Sequence, residues 1–376
     1  MTFRYFIIYN KTMLKKFGYL TILIIFILLV FPLQVGPAIE LEPWVKSAPK
    51  LSDSFFKTKA AKKIGNNCIY LQSKYGGFPK DVFIPELTKN EKHRLDARKK
   101  EKSSYYPTLD NDATTTEIIY LSRLYNATKI KKYKNAAGKG LNFVFASQFS
   151  NGCLAQAYLV NKEYQGDISF NDDSGINTMK LIKKVSQKEE PFEYVDDTTA
   201  SRAKNAYENG IKCILKTQIP QNGKLSAWAQ HYNKETMLPR QGRKFEPPAI
   251  VGGKESAHIV LFLMDIENPS QEIKNSIENT VSYFEKSKIC NKEIKYFINN
   301  EGYPDIILSE CDSCPPIWAR FYDIKTNTPL FGNKEGKIYT DMSNLRRFER
   351  LNYNWYDYEP EKVLKKYPEW KKKNSK

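Results

Sequence analysis

The sequence predicts a mainly α fold, an incomplete α/α toroid of the (α/α)3 kind with irregular, loop-rich segments. Three observations predict it. Helical periodicity dominates from Thr114 onward, in Ile118, Leu121, Leu124 and Tyr125 and then in Leu141, Val144 and Phe145, and no stretch alternates long enough to argue a sheet. A helix ending in Gln and stopped by a Gly turn occurs three times, at Gln72, Gln148 and Gln218, 76 and 70 residues apart. Each of these periods holds two helical patterns, and a long fixed period means stacked or circularly arranged units.

The clearest copies of the repeat are Asn135-Ala136-Ala137-Gly138-Lys139-Gly140-Leu141 and Asn205-Ala206-Tyr207-Glu208-Asn209-Gly210-Ile211. The first runs on to Gln148 and Gly152, the second to Gln218 and Gly223. A fainter copy places Ala60, Gln72 and Gly76 at the offsets of Ala136, Gln148 and Gly152.

Taken in order, the chain opens with Arg4, Lys11, Lys15 and Lys16 ahead of a nearly continuous apolar run from Phe17 to Val35, broken by Pro32 and followed by Gly36-Pro37-Ala38. A charged segment before an apolar one reads as a secretory signal over 1–38, with a retained signal-anchor as the rival. Both expectations put the folded part outside the cytoplasm: secreted, periplasmic or membrane-anchored. Residues 39–55 read as a polar linker, and 56–376 as a single domain. A first helical pattern runs from Ala60 to Tyr70. Residues 85–104, crowded with Lys, Arg and Glu, read as a solvated loop or a long surface excursion. The last fifth of the chain is richer in Pro and aromatics and less regular.

Composition bounds the partner. The 59 Lys and Arg against 42 Asp and Glu leave a net charge of +17, which points to a polyanion. The 24 Tyr, 21 Phe and 5 Trp suit sugar rings and bases alike. There is no phosphate-binding glycine loop, no GxSxG and no zinc-finger spacing, so nucleotide, esterase and finger chemistry are unsupported. Six cysteines in an exported chain permit disulfides. Cys311-Asp312-Ser313-Cys314 has no second pair to make a zinc site, so a local disulfide or two free thiols is expected.

Two acidic stretches sit inside the repeat. Leu109-Asp110-Asn111-Asp112-Ala113-Thr114 precedes the helix pattern Thr115–Tyr125, and Ser169-Phe170-Asn171-Asp172-Asp173-Ser174-Gly175 precedes Ile176–Val185. Asp110 stands 38 residues before Gln148 and Asp172 stands 46 before Gln218, so both lie at the N-terminus of a unit's first helix. One stretch alone is an N-cap. Two over-acidic stretches at equivalent ends would face one rim and offer carboxylates to one hard cation. Asn171 or a neighbour is still expected to cap its helix. Downstream, Pro239-Arg240-Gln241-Gly242-Arg243-Lys244-Phe245-Glu246-Pro247-Pro248 is a basic, non-periodic loop of the sort that carries function. Trp318-Ala319-Arg320-Phe321-Tyr322 interleaves an Arg with aromatics, suited to a sugar carboxylate or to a core with a buried stem. His231 and His258 are expected as packed or surface residues.

These motifs converge. In the order Gly76-Gly77-Phe78-Pro79-Lys80, Leu109 to Thr115, Ser169 to Asp173, Thr217-Gln218-Ile219, Ala227-Trp228, Gly242 to Glu246, Trp318 to Tyr322 and Trp355-Tyr356, the chain resembles the family 10 polysaccharide lyases, which are pectate lyases, from about Gly76 to its C-terminus. The resemblance implies an α/α toroid with an open groove. It implies Ca²⁺-dependent anti β-elimination on polygalacturonate, giving 4,5-unsaturated oligogalacturonides. By motif position Arg243 would be the base. Asp110, Asp172 and Asp173 would hold the metal, and Lys80, Asn111, Arg320 and Lys334 would meet substrate. An arginine base needs nearby cations, Ca²⁺ and Lys244 among them, to favour its neutral form. The chain departs from the family pattern at Cys153-Leu154, Ala229, Lys334-Glu335-Gly336 and Asp112. A monomer with no nucleic-acid partner is expected, touching a membrane only if the N-terminal segment is retained. The rival readings are an anionic-polysaccharide binding protein and a carboxylate-pair glycoside hydrolase on the same toroid.

Overall fold

The computed structural model describes residues 43–101, 107–157 and 166–374, and from Pro43 on the chain forms one compact unit. The apolar N-terminal run read as a signal lies outside the described residues. No described helix is long and apolar enough to cross a membrane.

The helices are α1 (Trp44–Ser47), α2 (Lys59–Leu71), α3 (Lys89–Glu101), α4 (Thr115–Thr128), α5 (Lys131–Ala146), α6 (Ser174–Ser186), α7 (Asp197–Thr217), α8 (Lys254–Met264), α9 (Gln271–Ser287), α10 (Arg347–Leu351) and α11 (Glu359–Asn374). Three helix pairs, α4 with α5, α6 with α7 and α8 with α9, form the incomplete α/α toroid, with α2 ahead of the first pair. Lys129 and Ile130 alone separate α4 from α5, and a connection that short turns the second helix back along the first. One apolar core runs through the three pairs and takes in Ile118, Met179, Phe262 and Phe284.

The repeated glutamines stitch each unit to the next. Gln72 Nε2 donates to Gly76 O in its own turn at 2.7 Å and to Ala136 O on α5 at 2.8 Å. Gln148 does the same with Gly152 O and Ala206 O, both at 2.8 Å, and Gln218 with Ser226 O at 3.0 Å and Ser276 O at 3.1 Å. The stopping glycines are required twice over. Gly76 (φ +101°) and Gly152 (φ +86°) are left-handed, and a Cβ there would stand 2.1 Å from Lys139 O and 2.3 Å from Asn209 O. At the corresponding end of α9 stands Lys288, whose ammonium meets Glu285 at 2.6 Å.

Backbone bonds extend the repeat further than the glutamines do. Ser73 N to Gly77 O, Phe149 N to Cys153 O, Ile219 N to Ala227 O and Ile289 N to Ile317 O are equivalent closures. They align Phe78, Leu154, Trp228 and Trp318, and then Lys80, Gln156, Gln230 and Arg320. The last two units share a Trp-Ala-x-x-Tyr turn. Trp228 and Trp318 donate to Ile214 O and Phe284 O, while the Tyr232 and Tyr322 hydroxyls accept from Ala229 N and Ala319 N and donate to Thr217 O and Ser287 O.

Three expectations are corrected. Residues 43–57, read mostly as linker, fold into short helical turns because Trp44 and Phe56 have a core to enter: both are buried against Tyr120. Residues 89–101, read as loop, are helical although Lys, Arg and Glu dominate them, with Leu95 buried. A hairpin pairs Lys292–Ile298 with Pro304–Glu310, and Ile250–Val251, Phe321–Tyr322, Pro329–Gly332 and Ile338–Tyr339 make a small antiparallel sheet. The hairpin shows no clean alternation because it leaves Tyr296, Phe297, Ile298 and Ile307 exposed.

The N-terminal segment is tied down at one buried carboxyl. Glu117 accepts from Trp44 Nε1 at 2.9 Å and from Thr114 N at 2.6 Å. Burial pushes this carboxyl up to about 7, against those donors. Between the ordinary 4.5 and about 7 the folded chain therefore keeps a proton that the unfolded chain has released, and stability declines as pH rises through that window. Glu117→Gln keeps an acceptor and removes the titration. Urea denaturation across pH should show that decline in the parent and not in the variant; equal slopes would refute it.

Candidate active site

The first helices of the three pairs point their N-termini at one rim, and the acidic stretches form the loops that enter α4 and α6. Asp110–Asp112 and Asn171–Asp173 are single 3-10 turns packed on each other. Their backbones match: Asn111 (φ 50°) and Asp112 (φ 59°) are left-handed, as are Asp172 (φ 48°) and Asp173 (φ 60°). Asp110 N donates to Thr108 Oγ1 and Asn171 N to Ser169 Oγ, both at 3.1 Å. The structural register therefore pairs Asp110 with Asn171, Asn111 with Asp172 and Asp112 with Asp173, one residue off the alignment of Asp110 with Asp172 that sequence spacing suggests. Left-handed Asn and Asp are tolerated because their short polar side chains bond locally, and that explains why both loops use these residues.

The side chains divide the labour unevenly. Asp110 is buried; one oxygen is ion-paired with Lys80, while Oδ1 has no hydrogen-bond partner. Asp112 accepts from Asn177 Nδ2 at 2.5 Å. Asp172 is half-buried and accepts from Asn171 Nδ2 at 2.8 Å. Asp173 lies 3.0 Å from Lys254 Nζ and 2.9 Å from His258 Nδ1. Burial alone would raise its carboxyl, but His258 and Lys254 hold it below the usual range. Asp173 also occupies the N-cap of α6 with no side-chain cap bond. The expected cap is therefore absent, because the carboxylate is spent on two cationic partners. Of the three carboxylates expected at a metal, Asp173 is thus the one already held by two cationic partners. The second ring nitrogen of His258 stands 3.0 Å from Glu359.

The arginine loop reaches the second acidic loop through a chain of bonds. Gln230 Nε2 donates to Asn171 Oδ1 and, at 3.2 Å, to Glu246 Oε1. Glu246 in turn receives Arg243 N on Oε2 at 2.7 Å, and Arg243 Nε and Nη2 on Oε1 at 2.9 and 2.5 Å. The charged group in contact with Arg243 is the buried Glu246 carboxylate, and Lys244 is exposed. Arg320, expected at a substrate carboxylate, is 7% exposed and pairs with Glu255 at 2.5 Å, which holds the guanidinium charged despite burial. Of its donors, Nε has no partner. Lys334 lies on the Phe348 ring at 4.0 Å rather than on a carboxylate. Asn111 is exposed at the tip of its turn. His231 is buried, as expected, and burial pushes it down to about 4, so it is neutral near pH 7.

Sequence reading missed the residues that knit this rim. Gln156 and Gln230 follow the repeat turns at the positions of Lys80 and Arg320, and the recurrent Trp-Ala-x-x-Tyr would have marked two of the four. Gln156 Oε1, Gln230 Oε1, Glu255 Oε2 and Ser174 Oγ are buried without hydrogen-bond partners, as is Asp110 Oδ1. Unpartnered buried oxygens are rare enough to ask for a ligand, water or ion. Elsewhere, Cys153 is bonded to Cys213 and Cys311 to Cys314, the local disulfide being one of the two states expected for that pair.

The model of the family described as pectic acid lyase matches residues 72–364. Among solved structures, the chain is similar to a family 10 polysaccharide lyase from Cellvibrio cellulosa, with a TM-score of 0.72 and 24% identity, over 87% of this chain and 94% of that one. It is similar also to a mutant of a family 10 polysaccharide lyase from that organism in complex with trigalacturonic acid, with a TM-score of 0.71 and 24% identity, over 87% of this chain and 95% of that one. At that identity the likeness is one of fold. No curated protein matches the chain.

Proposed function

Because this chain belongs to the pectic acid lyase family, and is accordingly a polysaccharide lyase, we propose that it cleaves polygalacturonate by Ca²⁺-dependent anti β-elimination, releasing 4,5-unsaturated oligogalacturonides. The observation that carries this reading is the meeting, on one rim, of two acidic loops and an arginine loop joined by Asn171, Gln230 and Glu246.

The donor chemistry suits calcium. It is made of hard oxygens on two adjacent loops, and Asp110 Oδ1 is buried with nothing to bond. Asp110 and Asp172 would hold the ion, with Asp173 fixed beside them by Lys254 and His258. When bound there, calcium would neutralise the uronate carboxylate and so make the neighbouring C5–H more acidic. Arg243 would take that proton. Lys80, whose side chain is 39% exposed, would offer its ammonium to a substrate carboxylate from beside Asp110. Arg320 would stiffen the rim through Glu255. The net charge of +17 draws a polyanionic chain to the groove. The solved relative crystallised with trigalacturonic acid supports the same substrate class.

We propose export as well. The apolar N-terminal run suits it, and the Cys153–Cys213 disulfide suits an oxidising compartment.

One assay tests the function. The purified chain, given polygalacturonate and Ca²⁺, should generate the ultraviolet absorbance of a 4,5-unsaturated uronide, and a chelator should abolish it. New reducing ends without that absorbance would mean hydrolysis, and salt-sensitive binding without turnover would mean a binding protein; each result sinks the lyase reading.

A further inference from the structure

Glu246 is the most densely bonded carboxylate of the rim. It is 1% exposed. Its Oε1 accepts from Arg243 Nε and Nη2, from the Tyr353 hydroxyl at 2.8 Å and from Gln230 Nε2. Its Oε2 accepts Arg243 N, its own N–H donates to Arg243 O at 2.8 Å, and its carbonyl accepts Gly242 N at 3.2 Å. The loop closes so tightly that a Cβ on Gly242 would stand 2.6 Å from Glu246 Oε2 and 2.9 Å from His231 Nε2. The guanidinium lies 4.7 Å from the Phe245 ring and 5.4 Å from the Tyr353 ring, yet 43% of the Arg243 side chain stays exposed. One edge is thus clamped and another faces out. A motif of this length outside a helix has no periodic reason to pair its Arg and Glu, so the loop is shaped around the pair.

We propose that Glu246 is the positioning residue of this rim: it aims the Arg243 guanidinium outward and stabilises its charged form. The inference rests on the lyase reading above and deepens it, because a base role for Arg243 then works against a carboxylate in direct contact. Burial alone would raise the Glu246 carboxyl, but the Arg243 donors outweigh it and hold it down to about 2. The other charges around the pair are few. Arg240 and Arg320 act on the neighbouring His231, and Tyr353 feels Arg320 and Glu255. His231 is neutral near pH 7 and Arg320 is neutralised by Glu255. Glu246 is the carboxylate in direct contact with the guanidinium.

The charge and the aim separate experimentally. Glu246→Gln keeps the shape and removes the charge; Glu246→Asp keeps the charge and shortens the reach. Steady-state rates on polygalacturonate across pH, at saturating Ca²⁺, read both. Glu246→Gln should move the alkaline rise of the rate to lower pH, since removing an anion eases deprotonation of its cationic partner. Glu246→Asp should lower kcat about 100-fold through lost aim and leave the rise where the parent has it. A merely structural role would weaken both variants without moving that inflection. An active parent with an unmoved profile in Glu246→Gln, or a rise in KM alone, overturns the inference and leaves the lyase reading intact. A parent that forms no unsaturated product overturns the lyase reading itself. Should Glu246→Gln fail to fold, an unchanged kcat in Glu246→Asp overturns the aiming role.

Discussion

Arg243→Ala is expected to lower kcat on polygalacturonate by about 10³-fold, the scale of a lost general base, while substrate affinity changes little. The geometry supports that split. The guanidinium is locked by two donors on one buried carboxylate and flanked by two aromatic rings, so it is placed for one task rather than spread over many contacts. Lys80, another cation in reach of solvent, sits beside Asp110 and does not depend on Arg243. Removing Arg243 strands Glu246 as an unpaired buried carboxylate, so thermal denaturation must accompany the kinetics. Arg243→Lys keeps the charge and loses the planar fork, and is expected to be nearly as inactive. The readout is the unsaturated-uronide absorbance together with calorimetric binding of an oligogalacturonide. Parent-like turnover in either variant would refute the base assignment.

The second large effect is on calcium. Asp172→Ala should raise the Ca²⁺ concentration for half-maximal rate at least tenfold, since loss of even an outer-sphere partner of a metal costs 10- to 100-fold. Part of any loss would come from the backbone, because Asp172 has φ 48° and Ala there costs about 1 kcal/mol. Asp172→Asn separates the two: Asn tolerates the left-handed turn, so a higher calcium midpoint in that variant reports the charge alone. The two variants titrating like the parent would remove Asp172 from the metal site. Asp173→Asn makes an instructive contrast, since its carboxylate already meets Lys254 and His258.

The parts of the fold legible in the sequence are those where backbone demand leaves one residue type. Gln72, Gln148 and Gln218 could be read because each must donate to two carbonyls at once, and Gly76 and Gly152 because nothing larger fits the left-handed turn. The acidic loops were legible as loops, but their register was not. Asp110 aligns with Asn171 in space, and amide and carboxylate serve the same left-handed turn, so spacing to the glutamines cannot tell them apart. The Arg243 loop was legible as functional, its electrostatics were not: Glu246 stands only three residues on, yet nothing in an irregular loop says that it folds back. Lys89–Glu101 and the 292–310 hairpin escaped for a related reason, since segments with little to bury carry little periodic signal. The packing of Trp44 on Tyr120 is a long-range event that a local reading of a polar stretch does not reveal.

Lys288 gives the stitching an end. In the three earlier units an uncharged amide at this place reaches forward to grip the carbonyl of a following helix; after α9 the place holds an ammonium turned to Glu285 near the surface. A charged group there is stable only in water, so a further unit docking against this end would have to bury it. The glutamine stitch therefore stops at α9, and this place is the position an engineer would change first in order to extend it.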